Sequence, residues 1–429
     1  MQRFNLLGST RGRYLAFALM YISEGIPYGF TSVAMVAIMR TEGISIFQIG
    51  AFSAALLVPW SFKWVWAPLI DLVKLHRFGG RKAWILLCTT MMIITLVVTA
   101  LVDFQNNFEL LIAMVVLNNF FCATQDVAID SLAVSTLKRD ERAAGNGFMF
   151  AGQFFGIAMG GGGAIYVFGR WGFDIALMYI SGALLLNWLF ILLFVRDPDV
   201  IRNFVGAGGN LLREMRKKLR EFMRELYTSF LKSGNGPRIG LLFAALPVGS
   251  MALNYAILGT IKVDLGLTQS QNSEISIYNT ITAAIGCLVG GWLAQRFGVK
   301  RMLAVFLAST AIPTTILAMQ IEAIGLEQFP LRNFYAVVIA HGAIYGMTFG
   351  AHKAVFMGMT NPAVGATQFT AFMSMGNLAI VYSNLWQRYV AQWHGYATVL
   401  YFDALFMLVP LAIIPFLRDR EPTPAPVPA

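Results

Sequence analysis

Charge is what this chain has least of. Asp, Glu, Lys and Arg make up 13% of its 429 residues, about half the share of an ordinary soluble domain. With 57% of positions hydrophobic, a water-soluble globular protein is excluded and a polytopic membrane protein is indicated. Cysteine is nearly absent: Cys88, Cys122 and Cys287 all fall inside apolar runs, which leaves no disulfide framework and no thiolate metal site. The four histidines are scattered, with no acid or thiol at ligand spacing, so neither a metal nor any other cofactor is expected. Nucleotide-binding motifs are missing too. Gly160-Gly161-Gly162-Gly163 is glycine-rich but lacks the lysine and the strand–helix setting of a phosphate loop. Inside a membrane helix such a run permits close packing or bending.

What is present is a set of long apolar runs. A crossing needs about 20 mostly apolar residues, and such runs fall at 14–39, 47–70, 83–103, 109–137, 144–168, 174–195, 239–263, 273–295, 302–321, 332–359, 366–391 and 396–417. The expected fold is an all-α membrane protein of twelve transmembrane helices. It divides into an N-terminal six-helix bundle (1–195), a linker (196–238), a C-terminal six-helix bundle (239–418) and a Pro-rich, disordered tail (419–429). The first apolar run is too long for a signal peptide and reads as a retained span. A net charge of +10 could point to nucleic acid, but its distribution does not. Lys and Arg gather near the termini, in the linker and in alternate loops, while the opposite loops hold only Arg40, Arg170 and Arg332. By the positive-inside rule both termini are cytosolic.

Within the linker, Leu212, Met215, Leu219, Phe222, Leu226 and Phe230 recur at three- and four-residue spacing. Arg213, Arg216, Lys217, Lys218, Arg220 and Arg224 fill the remaining turns. The pattern fits an amphipathic helix on the anionic leaflet, or a purely structural connector. The two halves also echo each other, as transporter repeats do. Asp71, Gly80 and Arg81 follow span two. Gly291, Arg296, Gly298 and Arg301 follow span eight, with Gln295 in the acidic place. Small residues there permit close packing, and the acid and bases tie helix ends together in one gating state.

The strongest signal is a polar stripe inside span four. Asp126 and Asp130 lie one helical turn apart, with Asn119 two turns away on the same face and Gln125 adjacent. An ionised side chain at the centre of a membrane helix costs ~2.5–3.5 kcal/mol on insertion scales. Such residues therefore face a protein interior or a wet cavity: either a translocation path or a structural ion pair. At about 1.5 Å per residue, Glu24, Lys63 and Asp126 all sit roughly 12–18 Å from the cytosolic boundary. Lys63 can neutralise one acid and leave another free to bind and release a proton. Lys353 in span ten matches the depth of Lys63, and two lysines facing one cavity suit an anionic cargo. His352 points about 100° away from Lys353 around the helix, as a packing residue or a cargo contact.

Several motifs are together similar to one family. They are Glu24-Gly25-Ile26-Pro27-Tyr28-Gly29, Ile49-Gly50, Pro59-Trp60-Ser61-Phe62-Lys63-Trp64-Val65-Trp66-Ala67-Pro68-Leu69-Ile70-Asp71, Ala123-Thr124-Gln125-Asp126-Val127-Ala128-Ile129-Asp130 and Ala366-Thr367-Gln368-Phe369. They resemble the AmpG-type muropeptide permeases and their acetyl-CoA-transporter relatives in the major facilitator superfamily, whose loop signature the 290–301 segment also resembles. The resemblance implies two pseudo-symmetric six-helix bundles around a central cavity, driven by the proton gradient. Glu24, Asp126 and Asp130 are then candidates for proton coupling, and Lys63, Asn119, Gln125, Lys353 and His352 for cargo binding. The partners expected are a small solute, protons and the bilayer, with no nucleic acid. The expected protein is a monomer in a bacterial inner membrane. A muropeptide leads among cargoes, followed by a ferric siderophore and an acyl-CoA-type metabolite. The rival classes are a membrane-embedded enzyme using Asp126 and Asp130, and a receptor that binds without transporting.

Overall fold

The computed structural model describes residues 5–41, 43–44, 46–73, 79–100, 107–197 and 211–418. Arg3, Lys74, Arg77, Arg202 and Arg420, the end of the third run at 101–103 and the 419–429 tail lie outside them. So do the side chains of Ile49, Gly50, Leu212, Arg213, Met215, Arg216 and Lys218. Among the described residues every regular element is helical. In hydrocarbon each backbone N–H and C=O must find its partner inside its own segment.

Nine helices are long and apolar enough to cross a membrane among the described residues. The last of them, Gly365–Phe406, is two crossings joined at Gly395, whose φ of +78° makes the turn that a residue with a Cβ would resist. Span two (Ile46–Leu72) and a broken span seven complete the twelve. Large side chains on the outer faces, such as Met178, Leu186 and Trp393, are more than 60% exposed. In a membrane protein these are the groups that meet lipid.

Three spans depart from straight helices for identifiable reasons. Span one runs through Pro27, which donates no N–H, and loosens into a π turn at Phe30–Ala34. The Thr31 and Ser32 hydroxyls donate to the carbonyls of Pro27 and Tyr28, satisfying the disturbed ladder. Span five has a matching π turn at Met159–Gly163, over the glycine run. Spans one and five touch along glycines: a Cβ on Gly25, Gly29, Gly156 or Gly160 would run into the facing backbone. Span twelve, expected as a helix to 417, is α-helical only to Phe406. It ends in short 3-10 turns around Pro410 and Pro415.

Span seven, expected as one helix over 239–263, breaks between Gly236–Ala244 and Met251–Asn254. The break frees backbone donors within the membrane, and Asp403 of span twelve meets them. Its carboxylate accepts from Ser250 Oγ at 2.5 Å, Ala252 N at 3.3 Å and Gln387 Nε2 at 2.8 Å. A buried acid here is a helix cap.

The core is divided unevenly. One hydrophobic cluster draws on both bundles and includes Phe17, Ile129, Met149, Phe243, Cys287, Phe356 and Phe369. It fills the end that carries the described termini and the linker, called here the terminal end. Toward the other end each bundle has its own cluster. Phe30, Phe52, Leu111 and Leu177 belong to the N-terminal one; Ile257, Leu317, Phe334 and Val399 belong to the C-terminal one. The bundles are therefore fused at the terminal end and separate at the other.

At the terminal end Glu141 accepts from Thr10 Oγ1 at 2.7 Å and from Arg13 Nε at 2.8 Å, with a further Arg13 guanidinium contact; Glu141 and Arg13 are buried, and Thr10 is exposed. Burial alone would raise the Glu141 carboxyl. The bonds from Arg13, Thr10 and the Lys138 N–H outweigh burial and hold it down at about 2. Its contribution to stability is complete above the ordinary carboxylate range and is lost as pH falls through about 2. Thermal unfolding of the detergent-solubilised protein should show this. At pH 7 Glu141→Gln should lose roughly 3 kcal/mol, the lower end for breaking a buried pair. The gap between wild type and variant should close on going from pH 5 to pH 2. A gap that stays constant across that window contradicts the assignment.

Candidate transport site: a buried charge cluster between the bundles

Five ionisable side chains from four spans converge where the shared core ends. Lys63 of span two forms an ion pair with Asp126 of span four, both buried. One turn further along span four, Asp130 accepts from the Tyr21 hydroxyl of span one at 2.5 Å. Glu24, one turn above Tyr21, accepts from Gln153 Nε2 of span five at 2.6 Å through one carboxylate oxygen. Its other oxygen is buried without a partner. Lys353 of span ten is only partly buried and stands over the Phe349 ring at 4.9 Å. It has no carboxylate within 4 Å among the described residues, although it lies within electrostatic reach of Lys63, Asp130, Asp126 and Glu24.

Aromatic rings surround these groups. Trp60 packs edge-on to Tyr28 at 5.8 Å and lies under the Lys63 ammonium at 5.1 Å. Phe349 packs edge-on to Phe150 at 4.6 Å, so rings from both bundles meet at this level. Asn377 of span eleven donates to the Trp60 carbonyl at 3.1 Å, joining the bundles once more. Apolar rings lower the local dielectric, which strengthens each electrostatic contact.

Glu24, Lys63, Asp126, Asp130 and Lys353 thus come together, whereas the other candidates have different surroundings. Asn119 accepts from Trp60 Nε1 at 3.2 Å and so orients the ring that faces Lys63. Gln125 is fully buried and donates to Thr89 Oγ1 of span three at 2.6 Å, which ties helices of one bundle. His352 is buried with both ring nitrogens unpartnered, against Phe243 and Phe356. Tyr21 and Gln153 were not singled out from sequence. Neutral polar residues disturb an apolar run too little to stand out, although Tyr21 lies one helical turn from Glu24. An apolar cavity of about 640 Å³ beside Asp403, lined by Trp386, Phe402 and Phe406 among others, contains none of the cluster residues.

The gating candidates differ between the halves. Asp71 caps span eleven: its carboxylate accepts the N–H of Ala366 at 3.1 Å, and the N–H and hydroxyl of Thr367 at 2.9 Å each. Anion and helix N-terminus are complementary. Gly80 and Gly298 have positive φ where spans three and nine begin. Arg81 donates to Ser131 at 2.8 Å, and its N–H to Asp197 at 2.8 Å. Gly291 lies so close to span five that a Cβ would meet the Gly147 Cα at 3.1 Å. Arg296 and Arg301 are exposed, with Arg296 stacked on Trp292 and Phe297. One crossing is thus clamped by charge, the other by contact between glycines.

Two six-span bundles meeting at such a cluster, sealed at one end, define a membrane transporter. The family model of the Major Facilitator Superfamily matches residues 14–252 and 239–429, and the chain belongs to that superfamily. It is 24% identical over 390 residues to the anhydromuropeptide permease of Escherichia coli (strain K12), spanning 90% of this chain and 75% of that protein. It is 23% identical over 295 residues to the putative transporter AmpG 4 of Rickettsia conorii, spanning 67% of this chain and 68% of that one. Among solved structures, the human organic anion transporter MFSD10 (TETRAN) matches with a TM-score of 0.70 at 12% identity, over 95% of this chain and 99% of that one. The proton:xylose symporter XylE matches with 0.69 at 13% identity, over 96% and 97%. At these identities the structural likeness concerns the fold alone.

Loss of the Asp71 clamp should loosen the terminal end. Hydrogen bonds to a charged group are worth about 1.5–3 kcal/mol each, so Asp71→Asn should raise the open population about tenfold or more. Gly365→Cys in a background without native cysteines places a thiol against Ser131 and Val134, in ordinary contact. Its labelling by a water-soluble maleimide should accelerate correspondingly in Asp71→Asn. Equal labelling rates would mean that Asp71 does not hold the gate.

Proposed function

We propose that this protein is a proton-coupled symporter that imports an anionic or amphiphilic solute across a bacterial inner membrane, and that the cargo is a muropeptide, an anhydro-sugar peptide. The observation that carries this reading is the imbalance within the cluster. Three carboxyls, Glu24, Asp126 and Asp130, share the site with two ammonium groups, and one lysine is already engaged by Asp126. The other, Lys353, is left for a cargo anion. Glu24, held on one side only, is the group we assign to carry the proton. The Lys63–Asp126 pair holds spans two and four in register beneath it, and Asp130, anchored by Tyr21, completes the local field.

The excess of Lys and Arg at the terminal end supports placing it, with both termini, in the cytosol. The conformation described is then closed to the cytosol and ready to receive cargo from the other side. Cargo and a proton entering together neutralise Lys353 and Glu24. The fused core and the Asp71 clamp can then give way while the two separate cores approach each other. The AmpG-type motifs and the likeness to the Escherichia coli anhydromuropeptide permease support the choice of cargo.

The assignments separate in proteoliposomes. Glu24→Gln should abolish accumulation driven by an imposed proton gradient yet keep cargo exchange, which requires no net proton movement. Asp126→Asn should fold poorly, because an unpaired buried Lys63 costs ~3–5 kcal/mol, and Lys63→Met with Asp126→Leu should recover folded yield. Gradient-driven accumulation by Glu24→Gln would move the proton to another residue.

Lys353→Ala should raise the apparent KM for anhydromuropeptide about tenfold, the worth of one charge-assisted contact, at unchanged expression. Neutral amide analogues should compete equally well before and after the change, and a ferric siderophore should compete with neither. Full competition by the siderophore would replace the muropeptide as cargo.

A further inference from the structure

The linker between the bundles has three distinct faces. Its helix, Leu211–Tyr227, continues as a π turn through Lys232. One face is committed to the protein. Phe222 and Ser229 are buried, and Phe230 packs on Phe372 of span eleven at 6.0 Å. Asn361, in the turn between spans ten and eleven, donates to Ser229 Oγ at 2.8 Å and to Glu225 at 3.4 Å. Gln368 donates to the Ser229 carbonyl at 3.3 Å and accepts from the Asn361 N–H at 2.7 Å. Gln368 follows Thr367, one of the two residues that Asp71 clamps. The linker helix also touches span two, so it bridges both bundles at the closed gate.

The second face is apolar and uncovered among the described residues. Leu219, Met223, Tyr227 and Leu231 recur every four residues, and each is about half exposed. The third is basic: Lys217, Arg220, Arg224 and Lys232 are exposed, with Glu221 as the acid among them. Apolar and cationic stripes side by side, at the end of a membrane protein where the bilayer surface lies, match an interface rich in anionic headgroups. Acyl chains take the four apolar side chains, and phosphates meet the four cations.

We infer that the linker helix docks on the anionic lipid surface at the terminal end and that, through Ser229, Asn361 and Gln368, this docking favours the state with the Asp71 gate closed. A helix held on the leaflet and packed on both span two and the span ten–eleven turn resists their separation. Opening must break one attachment. Anionic lipid therefore acts as an effector of the gate. The effect on the gate rests on the transporter reading, whereas the docking rests on the exposed apolar and basic faces alone.

The test uses the full chain in nanodiscs, with its native cysteines replaced. Spin labels at Arg170→Cys and Glu327→Cys report the separation of the bundles at the end away from the linker, by pulsed electron–electron resonance. A separate bimane label at Met223→Cys reports insertion, through quenching by lipids brominated on their acyl chains. Moving from pure phosphatidylcholine to one containing phosphatidylglycerol should quench the bimane. It should also raise the ratio of long to short distances about fivefold, the effect of roughly one basic side chain gaining the leaflet. High salt should reverse both changes. The combined change Lys217→Gln, Arg220→Gln, Arg224→Gln and Lys232→Gln touches only exposed side chains and should remove the lipid response. Equal distances in both lipids, an undiminished response in the fourfold variant, or the same shift on adding inorganic phosphate to phosphatidylcholine discs would each overturn the inference. None of these readings depends on which solute is carried, so a failure of the cargo assignment leaves them intact.

Discussion

An ion in hydrocarbon must be paired or neutralised, and this chain is built around the few ions it keeps there. The Lys63–Asp126 pair is the central case. It removes two charges at the depth where spans one, two, four, five and ten meet, and it leaves Glu24 and Lys353 incompletely matched. The same constraint governs the neutral polar groups around it. Tyr21 serves Asp130, Gln153 serves Glu24, and Asn119 fixes Trp60. In the other bundle it places Asp403 on the broken end of span seven. Removing one partner from any such set leaves a buried polar group exposed to lipid or protein rather than water, which costs more than the bond contributed.

The second constraint is mechanical. Close-packed interiors are bistable rather than continuously deformable, and here the core is divided differently at the two ends of the molecule. The terminal end is one shared core, sealed by the Asp71 cap on span eleven and the approach of Gly147 to Gly291. The other end is two cores that share no residue among those described. The charge cluster lies at the level where one arrangement gives way to the other. The linker helix touches the residue next to the Asp71 cap from outside.

Much of the fold was legible because apolar run length measures membrane thickness directly. Hydropathy failed where it averages over single residues. Pro247 and Gly249 divide span seven, and Pro410 and Pro415 end span twelve early, though each run stays apolar throughout. Depth along the helices marks out Glu24, Lys63, Asp126 and Lys353, because rise per residue is nearly constant and their charges stand out against an apolar background. It could not separate residues that face the cluster from neighbours that point elsewhere on the same turn. Gln125 and His352 are of the second kind, tied to Thr89 and packed on Phe243 respectively. Of the gating candidates, Asp71 marks itself by charge and Gly291 by the loop it precedes, whereas Gly147, which Gly291 approaches, lies in an apolar run where nothing sets it apart.

A proton-coupled symporter must bring a proton in with each cargo. A pH-sensitive dye sealed inside proteoliposomes, with no pH gradient imposed, measures this directly. On addition of anhydromuropeptide outside, the lumen of wild-type vesicles should acidify as cargo enters, and Glu24→Gln vesicles should show exchange without acidification. Entry of cargo into wild-type vesicles with no change in lumenal pH would contradict the account.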